Sequence, residues 1–79
     1  MLKSDFIQII EKAMDYVMFS IGKDGYTIVH TNEGPNIGKR SCMTGGETFE
    51  DAVTLVEKFD VNGKSLAESI DSILVTEWT

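Results

Sequence analysis

The sequence predicts a two-layer α+β domain of order α-β-β-β-α-α, with a small antiparallel three-stranded sheet packed against helices. Three observations predict it. The apolar period is helical near the start, changes to two through the middle, and becomes helical again toward the end. An Asp-Gly pair, a favoured hairpin turn, stands between two β-rich runs. The stretch Thr44-Gly45-Gly46-Glu47-Thr48-Phe49-Glu50-Asp51-Ala52 reads as a strand end, a glycine turn and a helix start.

The first helix is expected over residues 5–15, with Ser4 as N-cap and Asp5 in the first turn. At 100° per residue, Phe6, Ile7, Ile9, Ile10, Ala13, Met14 and Val17 share one face, and Asp5, Gln8, Glu11, Lys12 and Asp15 the other. A membrane-surface helix would carry a Lys/Arg-rich polar face. This one is mixed, which makes it a helix covering a core.

Two strands follow, Tyr16-Val17-Met18-Phe19-Ser20-Ile21 and Tyr26-Thr27-Ile28-Val29-His30-Thr31, joined through Gly22-Lys23-Asp24-Gly25. Val17, Phe19, Ile21, Tyr26, Ile28 and His30 share the core face. Met18, Ser20, Thr27, Val29 and Thr31 share the other. That second face is less polar than a solvent face usually is, which marks it for a partner or a second subunit. Residues 32–38 are expected to be a mobile loop, and residues 39–44 a third strand with Lys39 and Arg40 guarding a sheet edge.

Gly45 and Gly46 are expected to take positive φ at the exit from that strand. Thr48 is the expected N-cap of a helix over 49–59, with Asp51 reaching back and an apolar face of Phe49, Ala52, Val53, Leu55, Val56 and Phe59. Asp60-Val61-Asn62-Gly63 ends this helix, with Asn62-Gly63 supplying a left-handed cap or a turn. Ser65-Leu66-Ala67-Glu68 is a capping box opening a third helix with Leu66, Ala67, Ile70, Ile73 and Leu74 as its stripe. Trp78 is expected to fray or fold back.

The 79 residues make one domain, 1–79, with no repeat, linker or low-complexity tract. A chain this short buries only about 60% of its unfolded surface, so its core is thin. No signal peptide or bilayer-spanning run is expected, and the lone Cys42 forms no internal disulfide; both suit the cytoplasm. The net charge is −6. Residues 45–79 hold eight acids (Glu47, Glu50, Asp51, Glu57, Asp60, Glu68, Asp71, Glu77) against Lys58 and Lys64, which is 2 − 8 = −6 and the whole excess. Direct nucleic-acid binding wants clustered Lys and Arg and is not expected.

With one His and one Cys, no metal site is expected, and no spaced carboxylate loop resembles a calcium site. No cofactor is expected. Gly34-Pro35-Asn36-Ile37-Gly38-Lys39-Arg40-Ser41 is one residue short of a phosphate loop, has Arg40 between Lys39 and Ser41, and leads toward a strand instead of a helix. A Cys42–His30 nucleophile pair is the enzymatic alternative; nothing in the sequence announces an activating environment for the thiol.

Met43-Thr44-Gly45-Gly46-Glu47-Thr48-Phe49-Glu50-Asp51-Ala52-Val53, preceded by Tyr26-Thr27-Ile28-Val29, resembles the strand–turn–helix segment of HicB-like antitoxins. The resemblance implies an α/β sandwich with a small sheet, and an antitoxin role. The chain departs from that family in its opening helix, in the 32–38 segment and in the lack of a following DNA-binding domain.

These readings converge on a small acidic, non-enzymatic, cytoplasmic binding protein. It is expected to be an inhibitor or regulator that occupies a protein partner with a basic surface, in the manner of proteins of phages and other mobile elements, antitoxins or nucleic-acid mimics. The expected contacts are the acidic face Glu50, Glu57, Asp60, Glu68 and Asp71, the 32–38 segment with Glu33 and Asn36, and the second sheet face with Met18 and Val29. A homodimer or larger homo-oligomer built through the sheet is the structural alternative.

Overall fold

In the computed structural model, which describes residues 1–40 and 46–79, one helix leads into a β-meander. The order is α1 (Lys3–Lys12), β1 (Tyr16–Ile21), β2 (Asp24–Thr31), β3 (Gly34–Lys39), β4 (Glu47–Thr48), α2 (Ala52–Lys58), β5 (Asp60–Val61), β6 (Lys64–Ser65), a 3₁₀ helix (Ala67–Ser72) and β7 (Ile73–Trp78). The α+β class is as the sequence predicts. The order α-β-β-β-α-α and the three-stranded sheet are not: among the described residues the main sheet has five strands, in the order β4-β3-β2-β1-β7, and every neighbouring pair is antiparallel.

One core holds the layers together. Phe6 and Ile10 of α1 meet Val17 and Phe19 of β1, Tyr26 and Ile28 of β2, Ile37 of β3, and Leu55 and Val56 of α2. The alternation Val17, Phe19, Tyr26, Ile28 follows the period of a strand with one buried face. Phe19 stacks on Tyr26, and Phe6 meets Phe19 edge-on, both with ring centroids 5.3 Å apart. Leu66, after the β5–β6 hairpin, seals the same core. The helices and this hairpin cover a single face of the main sheet.

Several local expectations change. The β1–β2 connection is the two-residue turn Gly22-Lys23, with Gly22 at φ 60°, and Asp24 and Gly25 are already in β2. Residues 32–38 are not a loop. Asn32 and Glu33 alone turn the chain, and β3 begins at Gly34, five residues before the expected strand. Pro35 fits inside this strand because its carbonyl accepts from the Phe49 N–H at 2.9 Å. In a strand the N of a residue points the same way as its carbonyl, so the missing N–H faces away from β2 and costs no rung there. The rest of the expected third strand, residues 41–45 with Cys42 and Gly45, lies outside the described residues.

Helix α1 ends at Lys12, which buries Ala13 and leaves Met14 86% exposed. Its cap residue is Leu2, without a side-chain bond, in place of Ser4. Thr48 lies in β4; Asp51 caps α2, accepting from the Thr54 N–H at 2.7 Å. Gly46 is not at positive φ. It is required for a different reason: a Cβ there would collide with the Ile37 carbonyl. Val53 is exposed on α2 instead of buried.

The expected third helix is the largest correction. Asn62 and Gly63, at φ 54° and 87°, form a turn, the second of the two expected alternatives, and it joins a β-hairpin. The capping box forms as expected, with Ser65 N–H to Glu68 at 3.1 Å and Glu68 N–H to the Ser65 hydroxyl at 3.2 Å. It caps only the 3₁₀ turn. Residues from Ile73 onward then join the free edge of β1, which offers unpaired backbone groups that another helix would leave unsatisfied. Trp78 sits opposite Val17 in this ladder and does not fray.

Candidate functional site

Two surfaces carry the residues that sequence reasoning singled out. The first is the acidic side. Glu50, Glu57, Asp60, Glu68 and Asp71 are all exposed, but they come from α2, its lead-in, β5 and the 3₁₀ turn instead of from two parallel helices. Three of them have local work. Glu57 pairs with Lys3 at 2.9 Å, Asp60 accepts from the Gly63 N–H at 3.4 Å, and Glu68 closes the capping box. The Ser65 N–H, and then its hydroxyl, hold the Glu68 carboxyl below the ordinary range. Asp51 is lowered likewise by the Thr54 N–H and hydroxyl. Glu33 is exposed in the β2–β3 turn, where the Thr31 hydroxyl accepts from its N–H at 3.2 Å.

The second surface is the uncovered face of the sheet. Val29 faces Asn36 across β2 and β3, and Met18 faces Thr27 across β1 and β2, so Met18 and Val29 share one face as expected, and Asn36, expected in a mobile loop, joins them from β3. Tyr16 and Ser20 complete that face on β1. Leu74, opposite Ser20, and Glu77, opposite Met18, extend it across β7. None of these residues is buried; Leu74 is 64% exposed and Val29 37%. The Tyr16 hydroxyl donates to Glu77, which, with partial desolvation and the neighbouring negative charge, raises the phenol above its ordinary value. Asn36 donates to the Thr48 hydroxyl at 2.9 Å, tying β4 to this face.

Arg40 marks one end of the same face. Its backbone N–H bonds the Gly25 carbonyl, and its guanidinium lies over Gly25 and donates to the Phe19 carbonyl at 3.3 Å. Any side chain at Gly25 would displace it. Sequence reasoning missed Leu74 and Glu77 because residues 65–75 read as a helix. The signal that could have found them is the concentration of β-branched residues at Ile73, Val75 and Thr76.

The enzymatic alternative rests on His30 and Cys42. His30 faces the covered side, where its Nε2–H donates to the Ile10 carbonyl at 2.9 Å, near the end of α1. Its expected companion Cys42 lies outside the described residues. Among the described residues, no group of three His, Cys, Asp or Glu side chains could hold a metal ion, and no helix is long and apolar enough to cross a membrane.

Comparison with known proteins adds one relative. The chain is 32% identical, over 98% of its length, to part of a Caenorhabditis elegans protein provisionally named as a UDP-glucuronosyltransferase, ugt-48. The chain spans 14% of the length of that relative. No protein-family model matches the chain, and no solved structure does.

Proposed function

We propose that this chain is a small, acidic, non-enzymatic binding protein, an inhibitor or regulator that occupies the surface of a protein partner. The observation that carries this is the segregation of charge. Residues 46–79 hold eight acids against two bases, and Glu50, Glu57, Asp60, Glu68 and Asp71 are all exposed there. A surface of that sign attracts a basic partner and repels nucleic acid. The resemblance of the 43–53 segment to HicB-like antitoxins supports the same class of role, and a cytoplasmic setting suits a sequence with a single Cys.

The test is capture of partners at low and high salt by the native chain and by a Glu50→Gln/Asp71→Gln variant, since exposed ion pairs weaken as salt screens them. A dominant basic protein, lost at high salt and depleted by the variant, is the expected result. Capture indifferent to both would overturn the charge-based reading.

The similarity to the Caenorhabditis elegans protein favours a second reading, in which the chain is a unit of a longer nucleotide-sugar-dependent transferase. Titration with UDP-glucuronate, followed by backbone amide shifts, tests it. Saturable shifts would move the assignment toward that enzyme class, and their absence at millimolar ligand would remove it.

A further inference from the structure

We propose that the uncovered face of the sheet is the contact between two copies of this chain, stacked sheet on sheet about a two-fold axis. This rests on the face being a contact surface, and it leaves the acidic side of each copy outward for the partner proposed above.

The face differs from the rest of the molecule in charge. Against a net charge of −6 for the chain, the described residues of this face carry Arg40 and Glu77 and are otherwise uncharged: Tyr16, Met18, Ser20, Thr27, Val29, Asn36, Thr48 and Leu74. An acidic molecule keeps a net-neutral patch with exposed Leu74 and Val29 at the face of the sheet that no described element covers. Two acidic copies meet there with the least repulsion.

The two charges are also placed for self-complementarity. The Arg40 guanidinium lies over Gly25 of β2 and reaches the Phe19 carbonyl of β1, and Glu77 lies on the edge strand β7, beside Tyr16. A two-fold contact uses the same patch on both copies, so residue i meets j and j meets i. Arg40 of one copy then meets Glu77 of the other, twice. Leu74 on β7, Met18 on β1 and Val29 on β2 lie around these charges and form the apolar part of the contact.

The area sets the strength. Four strands about 4.8 Å apart, with about six residues rising about 3.3 Å each, give a patch of roughly 400 Å² per copy and roughly 800 Å² in the pair. Specific interfaces of lasting dimers bury about 1,200–2,000 Å². The contact is therefore a weak, concentration-dependent dimer.

The test is solution mass by sedimentation from about 10 μM to about 1 mM, with amide spectra over the same dilution, because dimerisation follows mass action. The expected result is a rise from one chain toward two, with shifts confined to the amides of the uncovered face. Leu74→Lys, at a position too exposed to matter to the core, should hold the chain as a monomer. Arg40→Glu and Glu77→Arg should each weaken association about three- to tenfold, and the two together should restore it.

A chain that stays monomeric at the highest concentration overturns the proposal. So does a dimer untouched by Leu74→Lys, a joint reversal without recovery, or dilution shifts elsewhere in the native chain. The spectra of the native chain decide the question even where a reversal fails to fold. A monomer that still captures a basic partner in a salt-dependent way overturns the dimer and leaves the proposed function standing.

Discussion

Gly34 and Gly22 both lie at positive φ, yet they should respond very differently to Ala. Gly34 has φ 123°, and a Cβ there would collide with the Phe49 carbonyl, with the Glu50 carbonyl 3.0 Å away. Gly22 has φ 60° and nothing within 4 Å of its would-be Cβ. At Gly22 the cost is the left-handed conformation alone, about 1–2 kcal/mol. It is offset by about 0.4–1 kcal/mol from the stiffer unfolded chain. The net is about 0–1.5 kcal/mol. At Gly34 the backbone strain is about 1–3 kcal/mol. The collision must also push away the segment whose Phe49 N–H bonds Pro35, which adds about 1 kcal/mol for the bond. With the same unfolded-state offset, Gly34→Ala should cost about 1–3.5 kcal/mol. Each kcal/mol lowers Tm by about 4–8 °C in a domain this small, so Gly34→Ala should melt roughly 4–28 °C lower and Gly22→Ala within about 12 °C of the native chain. Thermal unfolding followed by circular dichroism gives both values. Equal shifts for the two variants would refute the placement of Phe49 against β3.

The exposed, hydrogen-bonded carboxylates predict an acid transition. Asp51 and Glu68 are lowered from 3.8 and 4.5, so the stability they add is present above those values and is lost as pH falls through their folded pKa values. Tyr16 is raised from 10.0, so its contribution is present below that pH and is lost as pH rises through its folded pKa. Urea midpoints measured from pH 2 to 11 should fall at both ends, with Asp51→Asn and Glu68→Gln flattening the acid limb and Tyr16→Phe the alkaline one. Asp51→Ala should cost about 1 kcal/mol as the loss of an N-cap, read as a lower urea midpoint at unchanged slope. Leu55→Ala should cost about 2–5 kcal/mol because Leu55 is fully buried between α2 and the sheet, while Val53→Ala on the same helix should stay within about 0.5 kcal/mol. Denaturant titration of the pair separates the two faces of α2.

The sequence by itself determined the parts whose signals are local. The face of α1, strands β1 and β2 with their division into core and uncovered faces, the apolar side of α2 and the Ser65–Glu68 capping box all follow from period and from bonds between residues a few positions apart. The placement of Met18 and Val29 on one uncovered face follows in the same way, because alternation in a strand is strict. What only the tertiary structure decided is the fate of segments with ambiguous local preference. Gly34-Pro35-Asn36-Ile37-Gly38 looks like a loop, and becomes a central strand because the Pro35 nitrogen faces away from the β2 ladder and Ile37 fills the core. Ile73-Leu74-Val75 fits a helical stripe or a strand equally well, and the open edge of β1 resolved it, since a sheet edge rewards any segment that can satisfy its backbone groups. That choice moved Leu74 and Glu77 onto the uncovered face, beside β1. No local pattern encodes that juxtaposition, because it depends on β7 returning to a strand near the start of the chain, with Leu74 opposite Ser20 and Glu77 opposite Met18.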